Sequence, residues 1–392
     1  MPIAKKIFII SSVLLSAVLF FLGIYNISFK KDKASTQTGT KTSQNNNSGE
    51  SQSAIDKTGK LTGIKNKDKI YSLSDEAVIG PISVDSGDSV EYYSKASGNV
   101  FKISSSGEGK ETINDRNLPG LEKILWSSDT SKVIARFNNN GRIQYSTYDY
   151  SEKRGYTLSD GVEYATWNNL GDQIFYKYFD AKSKKRSLNI ADFDGKNWKK
   201  IADVNFNNAF ISVIPQSSFV SFWNVPNTFE ETSLNVVSTV GGEVRKIFSG
   251  RFGADYLWSP DGSKALVSFA DSRGGSKTSL GVINNNGGEF QNLNIPTFVS
   301  KCAWSKDNKV IYYALPTFSS ENSVLPNDYQ SGKVSTKDTF WKMDITSGKA
   351  ERVAEIADIK EAYDATSLFL NPSEDILFFI NKINGRLYGI NL

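Results

Sequence analysis

The chain of 392 residues contains no histidine. That absence removes Ser-His-Asp and Cys-His catalysis, histidine-ligated zinc, copper or non-haem iron, and imidazole acid–base chemistry together. The single cysteine, Cys302, excludes an intramolecular disulfide and leaves the redox compartment open. It sits in the apolar run Cys302-Ala303-Trp304, where a buried, inert thiol is expected rather than a nucleophile. A net charge of +4 is too small to argue for nucleic acid, and no basic stretch interleaved with aromatics is present. Gly107-Glu108-Gly109-Lys110 and Ser347-Gly348-Lys349 lack the upstream glycine of a phosphate loop and read as hairpin turns. Asp192-Phe193-Asp194-Gly195 lacks the further oxygen ligands of a calcium loop and reads as the turn between two strands. Paired carboxylates for glycosidic cleavage stay open, because two acids can converge from distant segments, yet nothing among 42 acidic residues singles out a pair. The sequence therefore gives no catalytic residue, metal site or cofactor, and leans away from an enzyme.

What is present is a recurring phrase. Leu125-Trp126-Ser127-Ser128-Asp129, Thr166-Trp167-Asn168-Asn169, Leu257-Trp258-Ser259-Pro260-Asp261-Gly262 and Ala303-Trp304-Ser305-Lys306-Asp307 each end an apolar run in a polar turn. Weaker copies lie at Ile82–Gly87, Val213–Ser217 and Leu370–Glu374. The anchors fall at 84, 126, 167, 214, 258, 304 and 370, so the intervals run from 41 to 47 residues except the last, of 66. Roughly 40 to 45 residues is the length of a four-stranded propeller blade. The copy around Trp258 shows all four strands: Ala254–Trp258, Lys264–Phe269, Ser279–Ile283 and Glu289–Leu293. Second strands are expected at Val133–Phe137, Gln173–Tyr178, Val310–Tyr313 and Asp375–Ile380, rich in β-branched and aromatic residues. The last unit stops one strand short, and Lys69–Leu73 is expected to supply that strand and close the ring, covering both edges. The reading is an all-β propeller over 65–392 with seven blades, six to eight remaining open.

These phrases resemble the WD40-like, PD40 or TolB-type β-propeller repeats, Trp258-Ser259-Pro260-Asp261-Gly262 matching the blade signature in full. The copies at Val84, Ile214 and Leu370 lack the Trp. The resemblance implies a fold and leaves function open, since propellers serve many purposes. In these turns the Trp is expected to pack between neighbouring blades, while Ser and Asp bond backbone amides.

The N-terminal part reads differently. Residues 7–29 contain no charge, and 23 residues in a helix span roughly 34 Å, enough to cross a bilayer. Residues 1–29 are read as a cytoplasmic stub and a transmembrane signal anchor, since no small-x-small cleavage pattern follows. Lys5 and Lys6 compete with Lys30, Lys31 and Lys33 for the inside position, and the short N-terminal tail favours an extracytoplasmic domain. Residues 30–64, mostly Ser, Thr, Gln, Asn, Gly and Lys, read as a disordered polar linker.

Loops between second and third strands all leave a propeller on one face. They carry Lys182, Lys184, Lys185 and Arg186 in one unit, Trp223 and Phe229 in the next, Arg273 in a third, and Leu325 and Tyr329 in an insertion read as Leu315–Asp338. The expectation is a partner-binding face of aromatic anchors and basic residues. The leading function is a non-catalytic scaffold that binds an envelope protein or peptide. The alternative is a carbohydrate-active propeller that binds or hydrolyses cell-wall or surface glycan.

Overall fold

The structure, a computed structural model, describes residues 68–204, 206–320 and 322–392. Within them 27 strands form six antiparallel sheets, five of four strands and one of seven. The α-helical content is one turn, Asn327–Gln330. The described residues belong to one compact unit. The segments read as anchor and linker lie outside the described residues, among which no helix is long and apolar enough to cross a membrane.

Every repeat phrase ends a first strand: Leu121–Trp126, Val162–Trp167, Arg245–Trp258 and Cys302–Trp304, with Trp-less counterparts Val78–Val84, Ala209–Val213 and Ala365–Leu370. Second strands follow at Lys132–Asn139, Gln173–Asp180, Val310–Phe318 and Ile376–Asn381, the first three longer than the apolar runs alone suggest and the last shifted by one residue. Strand Ile70–Ser72 pairs with Leu387–Asn391, Ile70 opposite Ile390, so an N-terminal strand does complete the last sheet. The seven-stranded sheet arises because the 14-residue strand Arg245–Trp258 pairs through its first half with Glu231–Ser238 and through its second with Lys264–Ala270.

The core lies between sheets rather than in one centre. First strands pack in chain order, Val78–Val84 on Leu121–Trp126 and Val162–Trp167 on Ala209–Val213. One cluster joins Val90 and Tyr92 to Phe378 and Leu387, so the last sheet packs on the first. The tryptophans make the same joint by hydrogen bond. Trp126 Nε1 donates to Gly80 O at 2.7 Å, Trp167 Nε1 to Leu125 O at 2.9 Å, and Trp304 Nε1 to Leu257 O at 3.2 Å. Trp258 Nε1 instead donates to Ser221 Oγ at 2.9 Å. An indole packed between sheets needs a partner for its N–H: three find it on the preceding first strand, and Trp258 finds it on the second strand Phe219–Asn224. In the turns, Ser259 Oγ donates to Asp261 Oδ1 at 2.7 Å and accepts from Lys264 N at 3.0 Å, a pattern repeated at Ser127 and Ser305.

Candidate functional site

Antiparallel alternation puts the Trp-bearing turns at one end of the sheets and the starts of the first strands at the other. At those starts the ladder register slips in the same place in three units: between Leu121 and Lys123, Val162 and Tyr164, and Phe252 and Asp255. A bulge re-aims the residue that follows it. Those residues, Lys123, Tyr164 and Asp255, each stand three positions before a repeat Trp. Lys301 holds the equivalent position before Trp304.

Asp255 is half-buried in a ring of aromatics formed by Tyr164, Phe210, Trp223 and Tyr256, neighbouring ring centres lying 5.4–6.0 Å apart. Its Oδ1 accepts from Trp223 Nε1 and from Tyr256 N, both at 3.0 Å. Oδ2 takes no hydrogen bond from the described residues. Burial pushes this carboxyl up to about 6, against the opposing pull of its two donors and of Lys123. Lys123, whose Nζ lies 5.3 Å from the Tyr164 ring centre, is lowered by burial, with Asp255 opposing.

Asp255 lines a cavity of about 450 Å³ together with Phe210, Pro226, Ser300, Pro326, Tyr329 and Lys382. One wall is the insertion between Val310–Phe318 and Thr336–Asp344, which therefore covers 319–335 and is shorter than the expected Leu315–Asp338. The insertion is pinned at several points. Thr228 N donates to Asn327 Oδ1 at 2.9 Å, Leu325 N donates to Gly275 O at 3.0 Å, and Gly253 at φ +57 leaves room for Pro326 that a Cβ would close to 2.8 Å.

Below that wall sits a buried ionic cluster. Lys301, with no exposed surface, donates to Asp338 Oδ2 at 2.7 Å, Asp364 Oδ1 at 2.8 Å, Thr336 Oγ1 at 3.0 Å and Ala365 O at 2.8 Å. Tyr329 Oη donates to Asp364 Oδ1 at 2.7 Å, which ties the insertion to the cluster. Burial raises the Asp338 carboxyl despite Lys301, whereas at Asp364 the same burial is outweighed by Lys301, Tyr329 and Thr336 and the carboxyl is lowered. Lys382 Nζ lies 3.8 Å from the Tyr329 ring centre and donates to Tyr329 O at 2.7 Å. Its ammonium is lowered, chiefly by burial.

The residues expected to form a binding face divide in two. Phe229 is 49% exposed, and Arg273 Nε donates to its carbonyl at 3.1 Å, so these two meet at the rim beside the insertion. Lys182, Lys184 and Lys185 are exposed in a separate hairpin. Arg186 is committed to both carboxylate oxygens of Glu163, at 3.0 and 3.1 Å. Trp223, Leu325 and Tyr329 are corrected in placement: at 4%, 1% and 5% exposure they are buried, not surface anchors. Trp223 lies inside strand Phe219–Asn224 rather than in the loop after it. Leu325 and Tyr329 form a small core with Phe298 and Val334, because a 17-residue excursion over a compact scaffold needs its own apolar anchor. Sequence reasoning missed Asp255, Lys301 and Lys382. For Asp255 and Lys301 the available signal was position: three residues before the repeat Trp, chemistry varies from Lys to Tyr to Asp while the turn stays fixed.

Cys302 is 3% exposed, donates to Phe298 O, and is pushed up by burial, as an inert thiol would be. Among the described residues no group of three or more acidic or thiol side chains is placed to hold a metal ion.

No protein-family model and no curated protein sequence matches the chain. Solved structures do. An oligogalacturonate lyase from Vibrio parahaemolyticus superposes with a TM-score of 0.59 at 12% identity, covering 83% of this chain and 94% of that one. The β-propeller domain of the Trilobed protease from Pyrococcus furiosus gives 0.51 at 12% identity, covering 80% and 95%. The β-propeller domain of Cps50 (Swd1) from Myceliophteria thermophila gives 0.51 at 12% identity, covering 82% and 99%. The Pyrococcus domain is described as having an open velcro topology, whereas here Ile70–Ser72 pairs with Leu387–Asn391. At these identities the likeness speaks of fold alone, and the fold of the described residues is a β-propeller.

Proposed function

We propose that the chain is a membrane-tethered, extracytoplasmic, seven-bladed propeller that binds an envelope protein or peptide without catalysis, seating it at the cavity around Asp255. The count of seven follows if Arg245–Trp258 serves as the outer strand of one blade and the inner strand of the next, which divides the strands into sets of four. The repeats are of the TolB type in this reading, on the strength of Trp258–Gly262. The tether rests on the uncharged run 7–29.

The observation that carries the seat is the cavity itself. It is walled by aromatics and prolines, roofed by a pinned insertion, and holds a carboxylate with one oxygen left without a protein donor. Concave, largely apolar sites with a few polar groups are where ligands bind, and a carboxyl pushed towards neutrality marks such sites. Against hydrolysis of glycosidic bonds stands the count of acids: among the described lining residues Asp255 is the one carboxylate, and that chemistry ordinarily uses two. The second reading, a glycan ligand, draws on the aromatic walls and on the fold shared with an oligogalacturonate lyase.

The test is affinity capture from the native envelope with residues 55–392 as bait, beside the same bait carrying Ser300→Trp. Ser300 is exposed and lines the cavity, so an indole there fills the seat without disturbing the core. A protein recovered by the first bait and lost with the second supports the reading. Equal recovery by both overturns the choice of seat, and binding of arrayed glycans with no protein recovered favours the second reading.

A further inference from the structure

The three most exposed large apolar side chains of the described residues are Leu170 at 75%, Val240 at 74% and Trp198 at 63%. All three lie in turns at the Trp-bearing end of the sheets. Leu170 follows the first strand Val162–Trp167, Trp198 precedes the fourth strand of the same sheet, and Val240 follows the third strand of the next. In antiparallel sheets the first and third turns emerge at the same end, so the three share a face. The turn of Trp198 touches that of Val240, Lys199 Nζ donating to Val240 O at 3.4 Å, and the turn of Leu170 touches the same neighbouring unit, Asn169 Nδ2 donating to Ser217 O at 2.9 Å. Lys196, Lys199 and Lys200 flank Trp198.

The described chain begins at this same end. Ile70 pairs with Ile390 near the close of a third strand, and third strands run towards the Trp-bearing turns, so Asp68 enters there. Residues 30–67 separate it from the uncharged run 7–29, a length that as a coil gives roughly 35 Å end to end.

We infer that this end, around Leu170, Trp198 and Val240, is a lipid-contact surface that rests on an anionic bilayer. An isolated apolar side chain at a surface needs no explanation, but three in neighbouring turns do. A Trp flanked by lysines is the residue pattern of a membrane interface, the indole at headgroup level and the ammonium groups towards anionic lipid. A tether that enters on this face keeps it close to the bilayer, while the cavity around Asp255, at the opposite end, faces away and stays open to a partner. The inference shares with the proposed function only the membrane tether.

The experiment uses the full chain reconstituted into vesicles of phosphatidylcholine and phosphatidylglycerol with dibrominated acyl chains, and reads tryptophan emission. The first 67 residues contain no tryptophan, so quenching reports on the folded part, where Trp198 is the one strongly exposed indole. Expected are quenching in the wild type, its loss in Trp198→Phe, and at least a two-fold reduction both in Leu170→Ser/Val240→Ser and in Lys196→Glu/Lys199→Glu. Circular dichroism unchanged from wild type confirms that these surface variants fold. Flotation with the vesicles but no quenching, or equal quenching in Trp198→Phe, overturns this inference alone. Failure of the full chain to float overturns the tether and this inference with it.

Discussion

The two ends of the first strands make an instructive pair. At the turn end, Trp126, Trp167, Trp258 and Trp304 do one job four times, each donating its indole N–H to the preceding repeat unit, and the Ser and Asp after three of them close the turn in the same way. At the other end the equivalent positions are Lys123, Tyr164, Asp255 and Lys301, and no two of their environments agree. Lys123 lies over an aromatic ring, Asp255 offers one oxygen to a cavity, and Lys301 is sealed between two carboxylates. Repetition marks where the fold is made, and variation on the same scaffold marks where it is used.

The largest break in that comparison is expected at Lys301. Lys301→Met leaves two buried carboxylates without their cation and should cost about 3–5 kcal/mol in urea denaturation at neutral pH. Adding Asp338→Asn and Asp364→Asn should recover most of the loss. A change too small to measure would mean that water enters the cluster.

At the turn end, Trp258→Phe removes a buried hydrogen bond and part of an indole, and should cost about 2 kcal/mol. The same exchange at exposed Trp198 should fall within about 0.5 kcal/mol of wild type. Similar losses at both sites would dissolve the distinction between inter-sheet and surface tryptophans.

Asp255 sharpens the contrast through pH. Its folded carboxyl is raised to about 6, so the unfolded chain binds fewer protons across that window and stability is lost as pH rises from the ordinary carboxylate range through about 6. Asp255→Asn removes that penalty. The variant should be more stable than wild type by about 1–2 kcal/mol at pH 8 and no different at pH 4, read from paired denaturation curves. A stability difference independent of pH would show that Asp255 is not the titrating group.

The smallest effects belong to the basic hairpin. Lys182→Ala and Lys184→Ala should each stay within about 0.5 kcal/mol, while Arg186→Ala, which leaves Glu163 paired with Lys177 alone, should cost about 1 kcal/mol.

Much of the architecture was legible in the chain. The Trp phrases located the first strands, and the shortfall at the C-terminus pointed to an N-terminal strand that indeed pairs at Ile70–Ser72. The candidate site was not. Exposure was inferred for Trp223, Leu325 and Tyr329 because they seemed to stand in or beside loops, yet Trp223 belongs to a strand and packs between sheets, and a loop of 17 residues must fold against something, which Leu325 and Tyr329 provide. The shared strand Arg245–Trp258 was legible only as its second half, because the first half carries no repeat phrase.

By itself, then, the sequence determined the kind of unit and its repetition, the chemistry that no histidine permits, and an uncharged run long enough to cross a bilayer. These depend on local spacing and composition, which a linear chain displays. Only the tertiary structure decided that Asp255, Phe210, Ser300 and Lys382 line one cavity, that Lys301 is neutralised by acids 37 and 63 residues away, and that Leu170, Trp198 and Val240 share a face. Each brings together residues from more than one sheet, and no pattern within one repeat encodes the whole of it.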